Sequence, residues 1–257
     1  MILLSKENLH VLNGFHPPKK DTTLQACIEG NMGKAWVNKI NSPAYAILVV
    51  ADFCYLLGNM GLEDEEDIIN TLSENGRGKI INFENPAFGE LIEKHFEKDF
   101  KKFNRYSTKY EPDVFDEAVL HKYIHAVEPE FTPIRIDEEI YYKALEDDFM
   151  ADLCCFFSSL EDFLEHGFGY VFMKDGKIIS AASSYSYCKD SIDITIGTIP
   201  EYRNKGLALA SASALILECL ERNIYPKWDA VSATSIALAE KLGYHFNKEY
   251  EVYYIKK

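Results

Sequence analysis

The sequence has no C-x-x-C pair, no long unbroken apolar run and no surplus of basic charge. Each shortage removes a class of function. The cysteines, Cys27, Cys54, Cys154, Cys155, Cys188 and Cys219, sit mostly inside apolar runs, where a free thiol packs as a small hydrophobe. Neither a disulfide framework nor a metal site is expected from them. The most apolar run, Ala44 to Leu57, is interrupted by Asp52 and is too short to cross a bilayer. The opening residues, Met1-Ile-Leu-Leu-Ser-Lys6, lack the basic start and long apolar core of a secretory signal, so a cytoplasmic chain is expected. Lys and Arg number 27 against 41 Asp and Glu, a net charge of −14. That balance suits neither a nucleic-acid duplex nor an anionic membrane as partner, and it permits cationic acceptors such as amines. No G-x-x-x-x-G-K-[ST] is present, so a nucleotide hydrolase built on that loop is excluded.

What is present centres on Ser191 to Arg222. Ile192, Ile194 and Ile196 alternate with Asp193, Thr195 and Gly197, the period-2 signature of a strand. Pro200 stops ladder pairing, and from Leu207 small and aliphatic residues crowd a helical run. Between them lies Arg203-Asn204-Lys205-Gly206-Leu207-Ala208, a tight turn opening a helix. The first N–H groups of a helix have no intrahelical partner and carry partial positive charge, so they suit a phosphate. Gly206 lets an anion approach the backbone, Ala208 keeps the entrance open, and Arg203 and Lys205 add charges suited to a pyrophosphate.

The spacing R-x-x-G-x-A at Arg203–Ala208 resembles the coenzyme A signature of the GNAT superfamily of N-acetyltransferases, [RQ]-x-x-G-x-[GA]. Further on, Ser232 to Tyr244 resembles the second signature helix of that family, which ends in Leu-Gly-Phe. Together the two cover roughly Phe131 to Lys257. The resemblance implies acetyl-CoA as co-substrate, an amine as acceptor and no metal. It places the pantetheine arm beside Ile196, Gly197 and Thr198, whose backbone would pair with it and polarise the thioester carbonyl. The pyrophosphate would sit on Arg203, Asn204, Lys205, Gly206, Leu207 and Ala208. Ser232 or Ser235 would bond to the pantetheine arm, or would simply cap the helix. Where relatives carry a Tyr as general acid, this chain has Ala239. Asp193 is the best candidate base, with a bond to Thr195 or to a cross-strand hydroxyl as the structural alternative. Ser183, Tyr185 and Tyr187, on the preceding strand, are candidates to line the acceptor pocket. Without the tyrosine acid, a non-catalytic acyl-CoA-sensing module is the alternative to an N-acetyltransferase. A homodimer is compatible with either.

The remaining pattern predicts a mixed α/β (α+β) chain with an N-terminal α/β domain over residues 1–129 and a GNAT-like domain over 130–257. In the second, two helices at Glu138–Glu146 and Ala151–Glu165 precede a hairpin through Asp175-Gly176. In the first, strands at Ala35–Ile40, Ala44–Val50 and Lys79–Phe83 combine with a helix from the acidic run Glu63–Asp67 and a long one from Ala87 to about Phe103. This order of strands and helices reads as a degenerate copy of the second domain or as an unrelated cap; it lacks any R-x-x-G-x-[GA]. His121 and His125, four apart on one predicted helix face, have no third ligand in the pattern, so a metal there is not expected.

Overall fold

A computed structural model describes residues 1–18 and 20–257. The elements run β1 (Ile2–Leu3), α1 (Thr22–Ile28), β2 (Lys34–Val37), β3 (Tyr45–Val50), β4 (Phe53–Gly58), α2 (Glu65–Asn75), β5 (Ile80–Phe83), α3 (Pro86–Phe96), β6 (Phe100–Thr108), α4 (Glu117–His125) and β7 (Ile134–Arg135). They continue with α5 (Glu138–Leu145), α6 (Leu160–His166), β8 (Gly169–Lys174), β9 (Lys177–Cys188), β10 (Ser191–Thr198), α7 (Leu207–Glu221), β11 (Tyr225–Lys227), β12 (Asp229–Ala230), α8 (Ala233–Lys241) and β13 (Phe246–Ile255). No helix among the described residues is long and apolar enough to cross a membrane.

Two compact units result: Met1–Arg105 with Glu249–Lys257, and Tyr106–Lys248. The division expected at residues 129 and 130 therefore lies inside the second unit. The reason is that β6 and β13 each contribute one end to each unit, so no single cut in the chain separates the two folds.

In the first unit β1, β2, β3 and β4 pair antiparallel in sequence order, β4 pairs parallel with β5, and the final residues of β13 lie antiparallel beside β5. The apolar run that is too short for a membrane folds back as the β3–β4 hairpin, with Ala51 at φ 52° in its turn. Tyr45, Ile47, Cys54 and Leu56 on that hairpin bury against Ile68 and Leu72 of α2 and Phe88, Leu91 and Ile92 of α3. Side chains of this size stabilise by about 1.5–3 kcal/mol each when buried. The long helix expected to reach Phe103 ends at Phe96, because Glu97 takes φ 39° and breaks it. Phe100 then starts β6 and stacks on Tyr253 of β13 with ring centroids 5.6 Å apart. An aromatic stripe at helical spacing had concealed a helix-to-strand change.

In the second unit β7, β8, β9 and β10 pair antiparallel and β10 pairs parallel with β11. The first unit thus repeats the order of the second: four antiparallel strands, a helix, a parallel strand, a helix and a closing strand. The helix expected over Ala151–Glu165 is divided into a 3-10 turn, Ala151–Leu153, and α6. Ser159 makes the break by capping α6, its hydroxyl accepting from the Asp162 N–H at 3.2 Å. Asp162 in turn accepts from the N–H and hydroxyl of Ser158 at 2.9 and 2.8 Å. Helix α7, buried for most of its length, packs on one face of the sheet. The 3-10 turn packs on β9 and β10.

Candidate active site

Strand β10 begins with neighbours on both edges and ends with a strand on one edge only. β9 accompanies it throughout, whereas β11 pairs only with Ser191, Ile192 and Asp193. From Ile194 onward no strand among the described residues lies beside the second edge of β10. The parting point is marked twice. Lys227 Nζ lies 3.4 Å from Asp193 Oδ2 at the last paired position. Across the other edge the register with β9 shifts, Asp193 facing Ser186 and Ile194 facing Ser184, so that Tyr185 is the residue passed over. Bulges of this kind bend a strand and re-aim its side chains.

The hydrogen-bond phase of β10 follows from one contact. The N–H of Ile199 donates to the Ile179 carbonyl of β9 at 3.0 Å. Backbone groups alternate between the two edges of a strand. Those of Thr195 and Gly197 therefore turn to β9, and those of Ile196 and Thr198 turn to the open edge. The Thr198 carbonyl agrees, since it accepts from Arg203 Nε at 3.2 Å. Of the strand residues implicated by sequence, Ile196 and Thr198 present polar backbone to the opening, and Gly197 does not. What Gly197 supplies is space: a Cβ there would stand 3.5 Å from both Phe149 and Met150. Side chains alternate as well. Thr198 points towards α7, where its hydroxyl is 2.8 Å from Ser180 and Ser180 is 3.0 Å from Ser211. Ser211 donates to the Leu207 carbonyl at 2.7 Å. This chain of hydroxyls, buried at Ser180 and Ser211, ties the end of β10 to the first turn of α7.

The turn itself is open. Asn204 and Gly206 take φ 63° and 81°, and no side chain caps α7. Its first intrahelical bond runs from Ala210 N–H to the Gly206 carbonyl, so the N–H groups of Leu207, Ala208 and Leu209 precede the ladder. Among the described residues, a Cβ placed on Gly206 would meet just Val127 Cγ1 within 4 Å, at 3.8 Å. Arg203, Asn204, Lys205 and Gly206 are exposed, and Lys205 Nζ lies 4.7 Å from the Tyr202 ring centroid. Amides ahead of the helix ladder, two cations and a glycine at positive φ are features that would suit a phosphate group.

The other residues implicated by sequence have structural partners. Asp193 is buried against Lys227. Ser232 caps α8, accepting from Ser235 N–H at 3.2 Å, and Ser235 Oγ accepts from the Trp228 indole at 3.2 Å. Ala239 is fully buried, so no hydroxyl stands at that place on α8. Tyr244 is buried and donates to the Pro226 carbonyl at 2.5 Å; burial pushes its phenol far above the usual range. Of the candidate pocket residues, Ser183 donates to the Leu153 carbonyl at 2.7 Å. Tyr187 donates to Asp162 at 3.1 Å, and burial raises its phenol to about 12. Tyr185 alone of the three is half-buried, its ring edge on Phe156 at 4.8 Å. His121 and His125 stack with centroids 6.5 Å apart.

Phe149, Met150 and Phe156 escaped the sequence reading. Phe149 and Met150 lie between the two helices expected there, and Phe156 falls inside the second, which the Ser159 cap divides; Phe149 and Met150 stand over Gly197 of β10 and Phe156 against Tyr185 of β9. The run Cys154–Ser159, poor in helix formers, was the available signal.

Comparison with known proteins bears on this geometry. The family model described as GNAT acetyltransferase matches residues 12–253. An uncharacterized N-acetyltransferase of Bacillus subtilis (strain 168), YdfB, is 24% identical over 192 residues, 66% of this chain and 74% of that protein. A solved GCN5-related N-acetyltransferase-like protein from Streptococcus suis 89/1591 is 33% identical, with a TM-score of 0.88 over 97% of this chain and 99% of the other. A tandem GNAT protein from the clavulanic acid biosynthesis pathway shares the fold at 10% identity, with a TM-score of 0.58 over 99% and 97% of the two chains.

Proposed function

The chain belongs to the GNAT acetyltransferase family, and from that premise we propose that its second unit moves acetyl from acetyl-CoA to a primary amine of a small molecule or peptide. The observation that carries this reading is the continuity of two features. The uncapped amides of α7 adjoin the open edge of β10, and the hydroxyl chain from Thr198 to Ser211 holds one against the other. A pyrophosphate on Gly206–Ala208, with Arg203 and Lys205 beside it, directs a pantetheine arm along Ile196 and Thr198, where it pairs as an added strand would. The thioester then lies near the point where β10 and β11 separate. There an outward N–H of β10 polarises its carbonyl as negative charge develops on oxygen. The amine approaches from the face carrying Thr195 and Gly197, under Phe149 and Met150. Asp193, at the same level, receives the amine's proton by way of water. Its contact with Lys227 makes Asp193→Asn the discriminating variant: a fall in kcat at unchanged stability supports the base, and lost stability alone leaves only the strand anchor.

Incubation with acetyl-CoA and a panel of amines is expected to release free CoA thiol in step with acetylated product. No amine-dependent release from a folded chain that binds CoA would overturn the transferase reading. That outcome would support the second one, a module that senses acyl-CoA without turnover. The observation favouring it is Ala239, buried and without a hydroxyl where the family's acid stands.

A further inference from the structure

We propose that Phe149 selects the acceptor, and that the amine it admits is cationic with an apolar, ring-bearing body; this rests on the acetyl-transfer reading above. β10 offers a thioester along its open edge one free face. Thr198 points to α7, which packs on that side of the strand. Gly197, the residue before it, faces the other way. A Cβ there would stand 3.5 Å from Phe149 Cε1 and 3.5 Å from Met150 Sδ. An acyl group held along Ile196 and Thr198 is therefore approached from the side on which Phe149 stands.

The two side chains over Gly197 differ in what covers them. Met150 is 1% exposed and belongs to the core. Phe149 is 49% exposed. One edge of its ring touches the strand, and half of the residue is uncovered. Backbone bonds hold it in place. Asp147 Oδ1 accepts from the Phe149 N–H at 2.9 Å, and the Asp147 carbonyl accepts from the N–H groups of Met150 and Ala151 at 2.9 and 2.8 Å. The same segment is tied to β9, since the Leu153 carbonyl accepts from Ser183 Oγ at 2.7 Å. A large apolar side chain in a fixed turn, uncovered beside the reacting bond, acts as a pocket wall.

Charge narrows the class of amine. Glu146, Asp147, Asp148 and Asp152 flank the ring in sequence, and no Lys or Arg lies between Leu145 and Asp162. Glu146, Asp148 and Asp152 are exposed. Such a segment draws in an ammonium group and turns away a carboxylate. A flat apolar body then gains contact with the ring, which a small polar amine does not.

The test compares Phe149→Ala and Phe149→Leu with the wild type, using acetyl-CoA and three primary amines: 2-phenylethylamine, ethanolamine and L-phenylalanine. By kcat/KM the wild type should prefer 2-phenylethylamine to ethanolamine by at least about 10-fold, the scale of an apolar contact in a substrate pocket. L-phenylalanine, which adds a carboxylate to the same ring, should fall well below 2-phenylethylamine. Phe149→Ala should bring the ratio of 2-phenylethylamine to ethanolamine within about 2-fold of one, the loss falling on KM for the ring-bearing amine. Phe149→Leu, still apolar, should keep about half of the wild-type ratio. CoA affinity by calorimetry should stay within about 2-fold in both variants, since the pantetheine arm pairs with backbone. Wild-type turnover that favours ethanolamine, or favours neither amine, would overturn this inference and leave the transferase reading intact. So would equal use of L-phenylalanine and 2-phenylethylamine, or a ratio unchanged in Phe149→Ala. A variant that shifts the preference between acetyl-CoA and propionyl-CoA, with the order of amines kept, would put the ring against the acyl chain and overturn it too. A wild-type chain that binds CoA and acetylates no amine overturns the transferase reading itself, and this role with it.

Discussion

The two units meet the same topological position in opposite ways. In each, the fourth antiparallel strand leads through a turn into a helix and then a parallel strand. In the second unit the helix starts at Gly206 with no side chain on its amides, Arg203 and Lys205 stand by, and the parallel strand leaves after Asp193. In the first, the Gly61 N–H donates to Asp64 Oδ2 at 2.7 Å, so the turn before α2 is filled from within. Glu63, Asp64, Glu65, Glu66 and Asp67 surround that helix start, and their charge repels an anion. β5 stays beside β4 from Phe53 to Leu56, so no cleft opens. A helix N-terminus at the end of a sheet strand is therefore not enough. The proposed anion site combines empty amides, positive charge and a separated strand, and among the described residues the first unit does not bring these three together.

The sharpest way to break this contrast is Gly206→Val. The residue sits at φ 81°, and a branched side chain would fill the cradle. CoA affinity measured by calorimetry should fall at least ~100-fold, with the circular dichroism of the fold retained. An unchanged affinity would remove the pyrophosphate from this turn.

A second effect concerns stability and sharpens the contrast by showing what holds α7 in place. Glu218 is buried on α7 and takes three hydrogen bonds of 3.1–3.2 Å from Arg135 of β7. Burial alone would raise its carboxyl, but hydrogen bonds from Arg135 and Tyr170 and the charges of Arg135 and Arg222 outweigh it, and the net shift is downward. A lowered carboxyl stabilises the fold fully above its unfolded value of about 4.3 and loses that contribution as pH falls through the lower folded value. Urea unfolding should show stability falling across that acid window. Glu218→Gln should be less stable at pH 7 by about 2 kcal/mol and should flatten the dependence. An acid profile identical in both proteins would refute the assignment.

Smaller changes follow at the two turns. Arg203→Ala and Lys205→Ala, both at exposed positions, should each weaken CoA binding by about 5-fold at low salt, with the difference shrinking as salt rises. Salt-independent losses would mean that the side chains act through packing. In the first unit, Asp64→Ala frees the Gly61 N–H and should cost about 1 kcal/mol of stability, as lost helix caps do. It should not create a CoA site, because β4 and β5 remain paired. A second CoA equivalent in calorimetry would show that the plug alone had silenced the first unit.

The turn at Arg203–Ala208 was legible in the sequence because glycine, cations and a strand-to-helix change are local signals. The mixed α+β class and the repeated order of elements were legible for the same reason. Three things were not. Division of the chain into units depends on β6 and β13 each serving both, a pairing between distant segments that no local period records. The phase of β10, which turns Ile196 outward and Gly197 inward, is set by the bond from Ile199 to Ile179 across the sheet. The end of α3 at Glu97 was hidden because Phe100 and Phe103 continue a helical spacing by coincidence. Asp193 shows the limit from the other side: its parity on the strand was readable, and its partner Lys227, contributed by β11, was not.

The most direct test is a crystal structure of the whole chain with CoA. The account predicts one CoA per chain, its pyrophosphate on the amides of Gly206–Ala208 and its pantetheine paired with Ile196 and Thr198. CoA bound before α2 in the first unit, or along an edge other than that of β10, would contradict it.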